Sequence, residues 1–83
     1  MYKSRKDLEN ACYQLVTDLR HPKEGIALAG MYKKGGRIGI VENGAEDNVL
    51  LFDSVKAALK FIRKEYGFAY MRKAEYMVRG GSR

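Results

Sequence analysis

The chain is predicted to fold as one α+β domain, with the order helix, strand, strand, strand, helix and then an uncertain C-terminal element. Three observations predict this. Apolar residues recur at helical spacing before Pro22 and again between residues 55 and 66. Between those segments, Gly-Gly and Asn-Gly pairs cut an apolar stretch into three short pieces. Finally, 83 residues that are 46% hydrophobic and 31% charged can bury one core and have no room for two.

The first helix is expected over residues 4–20. Leu8, Ala11, Cys12, Leu15, Val16 and Leu19 fall on one stripe at three- and four-residue spacing. Ser4 suits the N-cap, and Asp7 suits the positive end of the helix dipole. Arg20 and His21 suit the negative end, where His21 would cap carbonyls, and Pro22 stops the helix.

Strands are expected at residues 26–32, 37–42 and 48–52. The first two join through Lys33-Lys34-Gly35-Gly36, because glycine reaches positive φ without strain. Asn43-Gly44 opens the next turn. The second helix runs from a cap at Asp53 or Ser54 to Tyr66, with Gly67 as its stop. Its apolar stripe is Val55, Ala58, Leu59, Ile62 and Tyr66, with Phe61 on a flank. Residues 68–78 read as a fourth strand from their aromatics and valine, ahead of a third helix that Met71, Ala74 and Val78 would also suit. The domain then covers residues 1–79, and 80–83 form a flexible tail.

Both helices are expected on one face of the sheet. Alternation would then leave Ala27, Ala29, Met31, Gly39 and Val41 together on the other face, joined by Leu50 and Phe52. Such a face needs cover. Two-fold pairing would provide it, so a homodimer through these residues is expected, with residues 68–78 folding back as the competing solution.

The net charge of +6 is unevenly placed. Up to Asp53 the chain holds eight basic and eight acidic residues; from Ser54 onward it holds eight basic residues and only Glu65 and Glu75 as acids. Such an imbalance points to an anionic partner, with nucleic acid first and a membrane surface second. Lys56, Lys60, Arg63 and Lys64 share one face of the second helix and are placed to track phosphates. Arg72, Lys73 and Arg79 follow, interleaved with Tyr66, Phe68, Tyr70 and Tyr76, rings on which unpaired bases stack when they are not packed in the core. Lys33, Lys34 and Arg37 form a third basic group at the hairpin tip. Against this stands the ordinary role of such residues as solvated surface.

Catalytic and cofactor chemistry find little support. Cys12 lies on the apolar stripe and reads as a small buried hydrophobe. One cysteine and one histidine provide neither a disulfide nor a zinc site. The glycines match no nucleotide-binding fingerprint, and Glu42, Glu46 and Asp47 lack the alternation of a calcium loop. No metal or cofactor is therefore expected, and no enzyme. No apolar run reaches membrane-spanning length and no leader follows Met1, so a cytoplasmic protein is expected.

The order from residue 4 to 66 resembles the double-stranded-RNA-binding domain in topology. That family reads A-form RNA with a lysine cluster opening its second helix and a histidine-bearing hairpin. Here Asp53-Ser54-Val55-Lys56-Ala57-Ala58 brings one lysine and the hairpin has no histidine, so topology alone is implied. Residues 35–66, with a glycine-arginine hairpin leading into Phe52-Asp53-Ser54-Val55-Lys56-Ala57-Ala58-Leu59-Lys60-Phe61, resemble small basic accessory proteins of plasmids, phages and integron cassettes. A mobile-element origin is what that resemblance implies. The expected function is nucleic-acid binding through the basic C-terminal third. The alternative is a protein-interaction module, an inhibitor or adaptor whose basic surface meets an acidic protein patch.

Overall fold

The computed structural model describes residues 2–44 and 48–80. Its elements are α1 (Arg5–Asn10), β1 (Gln14–Arg20), β2 (Ala27–Lys34), β3 (Arg37–Glu42), β4 (Val49–Phe52), α2 (Val55–Tyr66) and α3 (Phe68–Val78). The strands form one antiparallel sheet in the order β1-β2-β3-β4. The class is α+β, with four strands where three were expected between the first two helices. Glu46 and Asp47, and most of the expected tail at 80–83, lie outside the described residues.

The fourth strand comes out of the expected first helix. Ser4 does cap α1, accepting from the Asp7 amide at 3.2 Å, but the helix ends after six residues. Cys12 then takes a left-handed backbone, with φ of 70°, and turns the chain into β1. Leu15, Val16 and Thr17 suit a strand as well as the apolar stripe suits a helix, so local sequence left both open. Pairing to β2 decides for the strand. Leu19 sits opposite Ala29 and is fully buried, while Cys12 is exposed and His21 belongs to a hairpin turn. There the His21 Nδ1 accepts from the Lys23 and Glu24 amides and caps no helix.

Residues 68–78 form a helix, not the strand favoured from the sequence. Ala74 and Val78 are buried, and Met71 packs beside them onto the core that α2 also covers. Ser54 caps α2, accepting from the Ala57 amide at 3.1 Å, and Gly67 ends it at φ 112°. Phe61 packs tilted against Phe52, 5.2 Å between centroids, and so widens the buried stripe.

The sheet is covered on both faces by its own chain. On one side α2 and α3 bury Leu19, Ala29, Met31, Ile38, Ile40, Ala58 and Ile62. On the other, Leu8 and Tyr13 close over Tyr32, Val41 and Val49. The two predicted helices therefore lie on opposite faces, where one shared face was expected.

The expected dimer surface is corrected by register. The two-residue turn Gly35-Gly36 sets Lys34 opposite Arg37, so Met31 faces Ile40 and Tyr32 faces Gly39. Ala29 and Met31 thus share a face with Ile38 and Ile40, while Gly39 and Val41 belong to the other. Ala29, Met31, Gly39 and Val41 are all buried and Ala27 is half-buried, so the five residues make no common exposed patch. The reason for expecting a homodimer through them disappears. Small size at Gly39 does permit a close approach, but by Leu8: a Cβ there would meet both Leu8 methyls at 3.0 Å.

Polar ties join the layers at their margins. The Arg5 guanidinium donates to the Tyr32 hydroxyl at 2.8 Å and pairs with Asp18 at 3.8 Å, and Arg20 also reaches Asp18 at 3.8 Å. The Tyr66 hydroxyl donates to the Glu42 carboxylate, linking the end of α2 to β3. Burial, and then the Glu42 hydrogen bond, push the Tyr66 phenol above its ordinary range. The folded state therefore prefers the neutral phenol, whereas an unfolded tyrosine ionises near pH 10. Stability from this group is complete below about pH 10 and falls as pH rises beyond it. Tyr66→Phe should cost about 1 kcal/mol at neutral pH through the lost hydrogen bond. Its further loss on moving to about pH 10.5 should be smaller than that of the wild type. Urea unfolding at the two pH values checks this, and equal losses would exclude Tyr66 as the titrating group. No helix among the described residues is long and apolar enough to cross a membrane.

Candidate nucleic-acid interface

The cations of α2 and α3 meet along the seam between these helices. Helical spacing sets Lys56, Lys60 and Arg63 on one side of α2, next to the buried Leu59. The chain reverses at Gly67, so Arg79, just past the end of α3, reaches the groove that Lys56 begins. Together Lys56, Lys60, Arg63 and Arg79 rim an open groove of about 570 Å³ floored by Leu59 and Met71. The one acid on this rim is Glu75, which pairs with Arg79 at 3.4 Å across one helical turn. The pair leaves the rim's net charge positive, and exposed pairs of this kind are worth little to stability.

Arg72 extends the set at the Gly67 end. Its guanidinium lies 5.8 Å from the centroid of the Phe68 ring, and that of Arg63 lies 5.5 Å from it. Phe68 is 54% exposed. Lys64 and Lys73 are exposed but are not among the residues lining the groove.

The hairpin cations do not join this surface. Alternation along β2 sends Lys33 and Lys34 to opposite sides of the sheet. Lys33 lines a separate concavity with Leu15, Met77 and Val78, while the Lys34 ammonium sits over Tyr13 on the α1 side, 5.9 Å from its centroid. Arg37, opposite Lys34, is exposed.

The aromatics separate in the same way. Tyr66 and Tyr70 are half-buried against the core and meet edge to face at 6.3 Å. Tyr76 is 64% exposed on α3, and Phe68, which does not itself line the groove, stands between Arg63 of the groove and Arg72. Sequence reasoning treated the α2 and α3 cations as two groups and did not find the Arg63–Phe68–Arg72 cluster. The signal was present in the helical spacing of Met71, Ala74 and Val78 directly after a glycine stop, which describes a helical hairpin. Among the described residues, no three His, Cys, Asp or Glu side chains gather as metal ligands would. No protein-family model, curated protein or solved structure matches the chain.

Proposed function

We propose that this chain is a non-enzymatic nucleic-acid-binding accessory protein that grips phosphates along the seam of its C-terminal helical hairpin. The carrying observation is the convergence of Lys56, Lys60, Arg63 and Arg79 on one groove with a single, already paired acid. Like charges held this close repel one another, and a polyanion relieves that repulsion while releasing its own counterions. Some four phosphate contacts should lower affinity about 50-fold for a single strand and about 150-fold for a duplex between 50 and 200 mM salt. Electrophoretic mobility shifts across a salt series measure this directly. Absence of any shift at low salt would remove the reading. The resemblance over residues 35–66 adds a mobile-element origin as the setting.

The apolar floor at Leu59 and Met71 favours one other reading, a protein-interaction module that takes an acidic segment carrying an apolar side chain. A partner recovered from lysate that survives nuclease treatment supports that module, whereas one lost with nuclease supports phosphate binding.

A further inference from the structure

The outside of a duplex presents phosphates and sugars, and a row of cations is enough to hold it. The seam between α2 and α3 carries more than such a row. Its floor, at Leu59 and Met71, is apolar. At one end the Phe68 ring is half-exposed with two guanidiniums gathered round it. Neither Arg63 nor Arg72 has a carboxylate partner among the described residues. A guanidinium is planar by resonance, and one set over an aromatic ring still has its N–H edge open to an acceptor.

A phosphate gains nothing from an exposed ring or an apolar floor. An unpaired base gains from both, because it stacks on aromatic rings and on guanidinium planes while its phosphates stay with the flanking cations. We infer, building on the phosphate-binding reading of this groove, that its ligand is a single strand. An unpaired base stacks on the Arg63–Phe68–Arg72 cluster, and the adjoining phosphates lie on Lys56, Lys60 and Arg79. The contact reads a base as a flat ring, so it tolerates any sequence and either sugar.

The test compares polymers with strands of about 12 nucleotides, their affinities expressed per phosphate. They are oligothymidylate, oligouridylate, the duplex of oligothymidylate with oligoadenylate, and an abasic deoxyribose chain. The wild-type chain should bind the two single strands alike, and about tenfold more tightly than the duplex or the abasic chain. Phe68→Ala should lose that preference, binding single strands about tenfold more weakly with an unchanged salt slope, while Phe68→Tyr should keep it. Phe68→Leu, which retains apolar bulk without a π face, should behave as alanine does and guards against a folding defect in the smaller variant. Equal binding of all four polymers, or a preference that survives loss of the ring, overturns the single-strand inference and leaves phosphate binding standing. If no polymer binds at about 50 mM salt, both fall.

Discussion

Leu8→Ala is expected to lower the free energy of unfolding by about 2–5 kcal/mol, the range for truncating a fully buried leucine. Leu8 is 0% exposed and is the one buried residue of α1. A helix of six residues has no stability of its own, so it depends on its attachment to the sheet, where Leu8 supplies the buried contact. With roughly 0.05–0.15 kcal/mol of stability per residue for domains in general, a loss of this size takes up much of the total. Chemical denaturation at neutral pH measures it. A change under about 1 kcal/mol would mean that α1 contributes little to the fold.

Gly39 supplies the partner test. A Cβ at Gly39 would press on both Leu8 methyls at 3.0 Å, so Gly39→Ala should cost about 1–3 kcal/mol in the wild-type background. In the Leu8→Ala background the obstacle is gone, and the same substitution should cost less. The cycle therefore has a coupling energy, as expected for residues in direct contact. Strict additivity would show that Leu8 does not sit on Gly39.

The second large effect concerns the groove. Replacing Lys56, Lys60 and Arg63 together by glutamine should weaken nucleic-acid binding about tenfold or more at 50 mM salt. The slope of log affinity against log salt should fall by about 2 to 3, because each of the three lost phosphate contacts removes roughly 0.7 to 0.9. All three side chains are exposed, so each change should move stability by no more than about ±0.5 kcal/mol. The matching control is Lys33→Gln, Lys34→Gln and Arg37→Gln at the hairpin tip. Lys33 and Lys34 lie on opposite sides of the sheet, and this variant should keep most of the affinity. Loss of binding in the hairpin variant with none in the groove variant would move the site to the other end of the molecule.

Much of the second half of the fold was legible from residues. Ser54, the stripe Val55-Ala58-Leu59-Ile62-Tyr66 and Gly67 define α2 because cap, periodicity and stop agree within one segment. The Gly35-Gly36 turn and the strands beside it follow from equally local chemistry. The same holds for the charge: no tertiary contact is needed to see that the excess falls after Asp53. The α2 half of the candidate groove was accordingly named residue by residue.

What the sequence by itself determined was the α+β class, the hairpin, α2 and the location of the basic end. The tertiary structure decided the rest where one set of residues satisfied two periods. Residues 14–20 fit a helical stripe or a strand, and pairing of Leu19 with Ala29 selected the strand. Residues 68–78 fit either as well, and burial of Ala74 and Val78 against the shared core selected the helix. Which residues share a face across β2 and β3 depended on a one-residue matter of register, and the turn length set Met31 with Ile40 instead of Gly39. The candidate site followed from that helix: only when α3 turned back at Gly67 did Arg79 meet Lys56, and Arg63 and Arg72 close on Phe68. Propensity and periodicity act over a few residues, whereas these choices rest on contacts between segments far apart in the chain.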